Sequence, residues 1–281
     1  MNLTLECLPC IVGSFAKLLK MNILPPEQID PAIRRFFTFL SQADYQQSPP
    51  ALGREMHHII REILQNPDPY REVKEKYNRM MLDLYPDFKE MITGASDPFD
   101  TALRLAVAGN VIDYGPQHQL DIMETVERVM GARFDIDDSQ KLKKDLETAQ
   151  SLLYIGDNCG EIVMDKLFLE HINVPVKYFA VRESPVINDI TAEDAKMVGI
   201  DRLAEIISTG DNAPGAIWEY TSDLFREKLH NSDVVIAKGQ GNLEGLSEVP
   251  YTVYFLLVTK CDVIAKHIGT RREEFVVKRI N

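Results

Sequence analysis

Five short apolar segments in the second half of the chain constrain its fold most strongly. They are rich in valine, isoleucine and aromatic residues: LLYI (152–155), VKYFAV (176–181), LAEIIS (203–208), DVVIAK (233–238) and VYFLLV (253–258). Helix-like patterns separate most of them, at residues 161–172, 191–198 and 216–230. Strands that alternate with helices predict βαβ units, and therefore an α/β fold whose mostly parallel sheet is covered on both faces. FVVKRI (275–280) is expected to add a last edge strand.

The first half of the chain has the periodicity of helices, with apolar residues at spacings of three and four. Ser96 or Asp97 followed by Pro98 is a favourable helix start, because proline is tolerated in the first helical turn. Four helices are expected here, at residues 52–64, 70–92, about 97–115 and about 120–130. We therefore predict a helical domain at residues 1–150 and an α/β, Rossmann-like domain carrying a ligand site at residues 151–281.

The composition argues against two classes of partner. The 281 residues include 43 acidic and 31 basic ones, for a net charge of −12. A duplex-binding protein needs a basic face, so nucleic acid is not expected as a partner. The apolar runs are shorter than the roughly 20 residues that span a bilayer, so no membrane span is expected. Glu6 lies among the apolar residues of the N-terminus, which does not resemble a signal peptide, and a cytoplasmic location is expected.

The four cysteines are too few for a disulfide scaffold in a chain of this length. Cys7 and Cys10 form a C-x-x-C pair, CLPC. That spacing is used by redox pairs and by half of a zinc site, but no second C-x-x-C completes a zinc set. From the residues alone, the pair is as well explained by a structural role as by a metal or redox role.

Polar residues follow the predicted strands at the edge where their carboxyl ends should meet. Asp157 and Asn158 follow the first strand, Asp189 lies after the second, and Lys238 and Gly239 follow the fourth. Ligands of open α/β sheets bind at this edge. Carboxylate and amide oxygens suit Mg²⁺ or Mn²⁺ better than zinc. A metal held by Asp157, Asn158 and Asp189, with Lys238 as a cation for phosphate, would form a phosphoryl-handling site.

Each of these motifs also has a purely structural explanation. An acid and an amide after a strand often form a turn and a helix N-cap. The segment around Asp189 is equally compatible with a cap, with Thr191 as the capping residue of the helix that follows. Asp211, after the third strand, resembles another cap and is the main rival for the metal position.

Gly109 and Asn110 are unusual because they stand inside a predicted helix. A glycine in mid-helix costs about 1 kcal/mol relative to alanine. The structural explanation is a packing glycine beside two solvated polar residues, Asn110 and Asp113, which share a helix face. The functional explanation is a close approach by substrate, with Asn110 reaching across from the helical domain.

Taken together, the motifs DNCGE, SPVIND, AKGQGN and AGNVID resemble those of the damage-control phosphatase family. This former domain-of-unknown-function family includes acidic-residue methyltransferase-like proteins. The similarity covers nearly the whole chain. The CLPC pair is similar to the C-x-x-C that marks the prokaryotic and archaeal subfamily.

The resemblance implies a helical N-terminal domain packed on a three-layer αβα sandwich. It also implies a divalent-metal phosphatase using Mn²⁺, Ni²⁺, Co²⁺ or Mg²⁺, which acts on sugar phosphates or damaged phosphometabolites. The implied metal ligands are Asp157, Asn158 and Asp189, and the predicted catalytic residues are Asp157, Asn158 and Lys238. The predicted substrate contacts are Asn110, Glu161, Arg182, Lys238, Gly239 and Asn242.

The phosphatase interpretation leaves a choice between two mechanisms, and two other functions are alternatives to it. We expect a metal-activated water to attack the phosphorus, rather than Asp157 acting as a covalent nucleophile. Aspartyl-phosphate enzymes of the haloacid-dehalogenase type carry a second acid two residues on, where this chain has Cys159. The alternative functions are an S-adenosylmethionine-dependent carboxyl methyltransferase and a non-catalytic protein that binds metal or phosphometabolites.

Overall fold

A seven-stranded sheet organises the fold, in a computed structural model that describes residues 1–21, 24–111 and 122–281. Its strands are β1 (Ile136–Asp137), β2 (Ser151–Ile155), β3 (Val176–Val181), β4 (Glu205–Ser208), β5 (Val234–Lys238), β6 (Val253–Val258) and β7 (Phe275–Ile280). The order across the sheet is β1-β7-β6-β5-β2-β3-β4, and only the β6–β7 pair is antiparallel. The prediction of a mostly parallel sheet is confirmed.

Thirteen α-helices are present in the described residues. In chain order they are α1 (Cys7–Met21), α2 (Pro26–Gln42), α3 (Pro49–Leu64), α4 (Arg71–Asp83), α5 (Tyr85–Thr93), α6 (Pro98–Gly109), α7 (Ile122–Gly131), α8 (Ser139–Thr148), α9 (Glu161–Glu170), α10 (Ala192–Val198), α11 (Asp223–Asn231), α12 (Gly239–Leu246) and α13 (Asp262–Ile268). No helix in the described ranges is both long and apolar enough to cross a membrane.

The two faces of the sheet carry separate hydrophobic cores. Leu152 and Tyr154 of β2 point into a core shared with α6 and α9, whereas Leu153 and Ile155 point into a core shared with α11 and α12. Alternation of side chains along a strand requires this division. A third core joins α1, α2 and α3. The three-layer αβα arrangement with helices from the N-terminal part packed on it is confirmed, whereas the domain boundary near residue 150 stays a prediction.

Some element boundaries differ from the predicted ones. FVVKRI is not an edge strand, because β1 pairs with its other side. The segment 70–92 is two helices that part at Leu84, since Pro86 lies in the first turn of α5 and has no N–H to continue the ladder. The segment 216–230 is likewise divided, because Ser222 caps α11 with its hydroxyl.

The helix that begins at Pro98 starts as predicted and ends early. Asp97 is its N-cap and accepts a hydrogen bond from the Asp100 N–H at 3.2 Å. The helix ends at Gly109 with Asn110 as its C-cap, so Gly109 is not in mid-helix. The predicted continuation toward residue 115, Asp113 included, and the start of the following helix at residue 120 lie outside the described residues.

Candidate functional site

The point where the strand order reverses lies between β2 and β5. From β2 the chain proceeds through β3 to β4 on one side and then returns to β5 on the other. Ligands of open α/β sheets bind beyond the carboxyl ends of the strands at such a switch point. Residues 156–160 follow β2 at this point, and Gly239 follows β5.

Asp157 is the residue around which this crevice is built. Its Oδ2 accepts hydrogen bonds from the side-chain amides of Asn158 at 2.9 Å and of Asn110 at 3.2 Å. Its Oδ1 lies 3.9 Å from the Nη2 atom of Arg182. The carboxylate is therefore fixed from two sides, by helix α6 and by the loop that follows β3.

Asp189 lies beside this pair. A backbone bridge joins Asn158 to Asp189, and the Ile190 N–H donates to the Asp157 carbonyl at 3.0 Å. Arg182 Nε donates to Asp189 Oδ2 at 2.7 Å, and both side chains are buried. The structure thus brings the three predicted metal ligands, Asp157, Asn158 and Asp189, to one place.

None of these three ligands is explained by helix capping. Helix α9 is capped by Gly160 without a side-chain bond. Thr191 caps α10, as the structural alternative predicted, but its capping-box partner is Asp194. The rival acid Asp211 is engaged elsewhere, because both its oxygens accept from Arg54 Nε, at 2.8 and 3.0 Å.

Four buried carboxyl groups form what we call the acidic cluster: Asp157, Glu161, Asp165 and Asp189. Two buried cations accompany it, Arg182 and Lys238. When all are ionised, four negative charges face two positive ones, which leaves an excess of two. Burial raises the pKa of Asp157 well above its ordinary value, and the charges of Glu161 and Asp189 raise it further. A divalent cation would balance this excess.

The candidate metal site differs from a conventional cluster of charged or imidazole ligands. Within residues 1–21, 24–111 and 122–281, no group of three His, Cys, Asp or Glu side chains is arranged to hold a metal ion. A metal at this place therefore depends on the amide oxygen of Asn158 as well as the carboxylates of Asp157 and Asp189. Such an all-oxygen set fits a hard divalent cation, which can keep water ligands.

Lys238 lies deeper than a surface contact for phosphate would. Its side chain is fully buried, and its Nζ contacts three acceptors: the Ala106 carbonyl at 2.7 Å, Glu161 at 2.5 Å and Asp165 at 2.6 Å. An ammonium has three donors, so all are used. The predicted direct contact between Lys238 and phosphate would require one of these bonds to be exchanged.

Gly239 permits the closest approach in the crevice. Its φ is +75°, and a Cβ atom built there would lie 1.8 Å from Asp157 Oδ2. Nearby, the Asn242 amide has a full set of partners. Its oxygen accepts from Arg182 Nη2 and the Ala216 N–H, and its nitrogen donates to the carbonyls of Gly156 and Lys238. Asn242 therefore holds Arg182 in place.

Asn110 does reach across from the helical part of the chain. Besides its contacts with Asp157 and Glu161, its oxygen accepts from the Val258 N–H at 3.1 Å. The close approach at Gly109 is made by helix α9, since a Cβ at Gly109 would lie 3.0 Å from Glu161 Cγ.

Two cations near Asp157 differ in their exposure. Arg182 Nη1 is buried and has no hydrogen-bond partner among the described residues, although such a group normally finds one. Lys260 is exposed after β6, and its charge acts on Asp157 in the direction that lowers its pKa.

Three residues with contacts to this site were not predicted from the sequence. Asp165 and Tyr154 bond each other at 2.7 Å beneath the acidic cluster, and Asn78 accepts from the Gly160 N–H at 2.6 Å. The sequence offered a signal for Asp165, because it is an acid four residues after Glu161 on a face of α9 that is otherwise apolar. No sequence feature singles out Asn78, because it belongs to a polar stretch of α4.

The cysteine pair lies in the first turn of α1. Cys7 is partly buried and Cys10 is exposed. The Thr4 hydroxyl lies 3.6 Å from Cys7 Sγ. The pair stays a predicted marker of the subfamily.

Known proteins are similar to this chain over nearly its whole length. The family model described as the damage-control phosphatase ARMT1-like domain matches residues 3–276. A damage-control phosphatase of Pyrococcus horikoshii is 32% identical over 99% of this chain and 98% of its own length. One from Archaeoglobus fulgidus is 30% identical, with 99% of each chain covered.

A solved structure shows the same fold over the whole length. The crystal structure of a DUF89 family protein from Pyrococcus horikoshii matches with a TM-score of 0.92 at 31% identity, covering 100% of both chains. The resemblance inferred from the sequence motifs is therefore confirmed. The chain belongs to the family of proteins with a damage-control phosphatase ARMT1-like domain.

Proposed function

We propose that this protein is a metal-dependent phosphatase that hydrolyses phosphate monoesters of small metabolites. The observation that carries the proposal is the acidic cluster at the switch point of the sheet, in which four buried carboxyl groups accompany two buried cations and the charge of Lys260 acts on Asp157. The damage-control phosphatases among its relatives support the reaction class. Sugar phosphates or damaged phosphometabolites are the proposed substrates, in a metabolite damage-control role.

The proposed metal ligands are Asp157, Asn158 and Asp189. Their oxygens suit Mn²⁺, Mg²⁺, Co²⁺ or Ni²⁺, and they lie together at the end of β2. When bound, a divalent cation polarises a phosphoryl oxygen and activates water. The chain's own part is to hold that position rigidly, through the amides of Asn110 and Asn158 on one side and Arg182 on the other.

The proposed anion contacts are cations and backbone groups at the same rim. The free Nη1 of Arg182 would meet a phosphoryl oxygen, and the exposed Lys260 would meet the substrate as it enters. The absence of a side chain at Gly239 lets the substrate approach the start of α12, whose N–H groups favour negative charge. These groups stabilise charge on the equatorial oxygens during transfer.

We propose direct attack by water and not a phosphoryl-aspartate on Asp157. An aspartyl-phosphate enzyme of the dehalogenase type uses a second acid two residues further on. This chain has Cys159 there, and that thiol is fully buried. Acid quenching during turnover should recover no phosphoenzyme. A phosphorylated peptide containing Asp157 would contradict this mechanism.

The proposed partner follows from the proposed reaction and from the charge of the chain. A small phosphorylated metabolite is the proposed partner. Nucleic acid is not, in view of the net charge of −12. A cytoplasmic location and the identity of the metal used in the cell stay predictions.

The test is phosphate release by metal-stripped protein after each metal is added back. The substrates would be p-nitrophenyl phosphate and a panel of sugar phosphates, and Asp157→Ala would be the control variant. Metal-dependent release that is lost in Asp157→Ala is expected. Absence of release with every metal would leave a binding protein, whereas binding of S-adenosylmethionine would favour the methyltransferase alternative.

A further inference from the structure

A buried chain of hydrogen bonds lies directly beneath the proposed metal ligands. The Tyr154 hydroxyl donates to Asp165 Oδ1 at 2.7 Å, and Lys238 Nζ donates to the same oxygen at 2.6 Å. Lys238 also donates to Glu161 Oε1. At most 1% of the surface of any of these four residues is exposed, so bulk solvent does not screen the network.

The other end of this chain reaches the ligand amide. Glu161 Oε2 accepts from Asn158 Nδ2 at 3.4 Å, and Asp157 Oδ2 accepts from the same nitrogen at 2.9 Å. Both contacts require the nitrogen of this amide to face the carboxylates. The carbonyl oxygen of Asn158 is then turned from Asp157 Oδ2 and Glu161 Oε2 and is left for a hard cation, which Asp157 Oδ1 could share.

We infer that Asp165 and Tyr154 are positioning residues, which act through Lys238 and Glu161 to hold the Asn158 amide with its oxygen available to the metal. The inference rests on the proposed function, because it concerns the same metal site. Neither residue reaches that site itself. Lys238 then acts from beneath the metal site, through its contact with Glu161.

The composition of helix α9 supports a positioning role for Asp165. Helix α9 is apolar around Asp165, with Ile162, Val163, Met164 and Leu167 all fully buried. Replacing buried ionic groups with apolar side chains is often neutral or stabilising, so stability alone does not require an ion pair here. Lys238 stays charged because Asp165 and Glu161 more than offset the effect of burial and raise its pKa. A charged lysine fixes the orientation of Glu161.

The experiment compares two tyrosines of the same core. Tyr154 on β2 donates to the fully buried Asp165 at 2.7 Å, and Tyr254 on β6 donates to the partly buried Asp145 at 2.6 Å. Replacing either tyrosine with phenylalanine removes one hydroxyl. Mn²⁺ affinity would be measured by calorimetry without substrate, together with thermal unfolding of the metal-free protein.

Tyr154→Phe is expected to weaken Mn²⁺ binding by about threefold or more, whereas Tyr254→Phe should leave it within about twofold of the wild type. The benchmark is the roughly 10–100-fold loss seen when a group that bonds a metal ligand is removed. Both variants should lose thermal stability, and the difference in Mn²⁺ affinity decides between a positioning and a structural role. Equal Mn²⁺ affinities in the two variants would overturn the inference, because the hydroxyl of Tyr154 would then have only a structural role.

Asp165→Asn is the stronger perturbation and should weaken Mn²⁺ binding by about tenfold. If this variant does not fold, the tyrosine pair still decides the question. Loss of metal affinity in Tyr154→Phe with no loss in Tyr254→Phe supports the inference in either case. Failure of the wild type itself to bind Mn²⁺ would refute the proposed metal site, and is thus distinguishable from failure of the inference alone.

Discussion

Gly239→Ala should abolish most of the activity through a single methyl group. The added Cβ would stand 1.8 Å from Asp157 Oδ2, and real Cβ contacts do not fall below 3.0 Å. The carboxylate must therefore move by about 1.2 Å, the difference between these two distances. A misplacement of about 1 Å in a catalytic site costs about 100-fold in rate. We expect a loss of that size in metal-dependent kcat/KM, and weaker Mn²⁺ binding.

A matched control separates this displacement from backbone strain. Gly199 also has a positive φ, +86°, but a Cβ there meets nothing within 4 Å. Both alanine variants should lose about 1–2 kcal/mol of unfolding free energy, since each places an L residue in the left-handed region. Urea unfolding and steady-state kinetics would be compared. Full activity in Gly239→Ala, or an equal loss in Gly199→Ala, would refute the proposed role of Asp157.

Two other predictions concern charge. Burial, with a smaller effect from Arg61, lowers the pKa of His57 to about 3 from an ordinary 6.5. The unfolded chain therefore binds the proton more readily, and stability falls as the pH drops below 6.5, by about 2 kcal/mol at pH 5. The carboxyl groups whose pKa is raised, such as Asp157, act in the opposite direction but equally in both proteins. Between pH 7.5 and 5, urea unfolding should therefore show the wild type losing about 2 kcal/mol relative to His57→Leu, and an equal change in the two proteins would contradict the prediction. Lys260→Met should raise KM for phosphate esters by about tenfold without weakening Mn²⁺ binding, because the lost charge repels a cation near Asp157; weakened Mn²⁺ binding in calorimetry would contradict its role as an anion contact.

The strands and the family could be predicted from the sequence because both depend on local patterns. Runs such as VYFLLV are buried on both faces of the sheet, so β6 appears as one continuous apolar segment. The short strand β1 could not be predicted. Its two residues join the sheet through pairing with β7, more than 130 residues away in the chain, and two residues carry no periodicity.

How deeply each site residue is buried could not be predicted from the sequence. Lys238 follows a strand and precedes a glycine, as a phosphate-binding lysine would. Its contacts with Glu161 and Asp165 depend on how α9 packs against the sheet. The same packing brings Asp165 into contact with Lys238, and a local pattern does not show that contact. A local pattern identifies the loop that carries a ligand, whereas tertiary packing decides which charges lie behind it.

The most direct test of the central claim is anomalous diffraction from crystals grown with Mn²⁺. One anomalous peak is expected within bonding distance of oxygens from Asp157, Asn158 and Asp189, and it should be absent in Asp157→Ala crystals. A peak bound by other residues, or no peak in the wild type at saturating Mn²⁺, would contradict the assignment of this metal site.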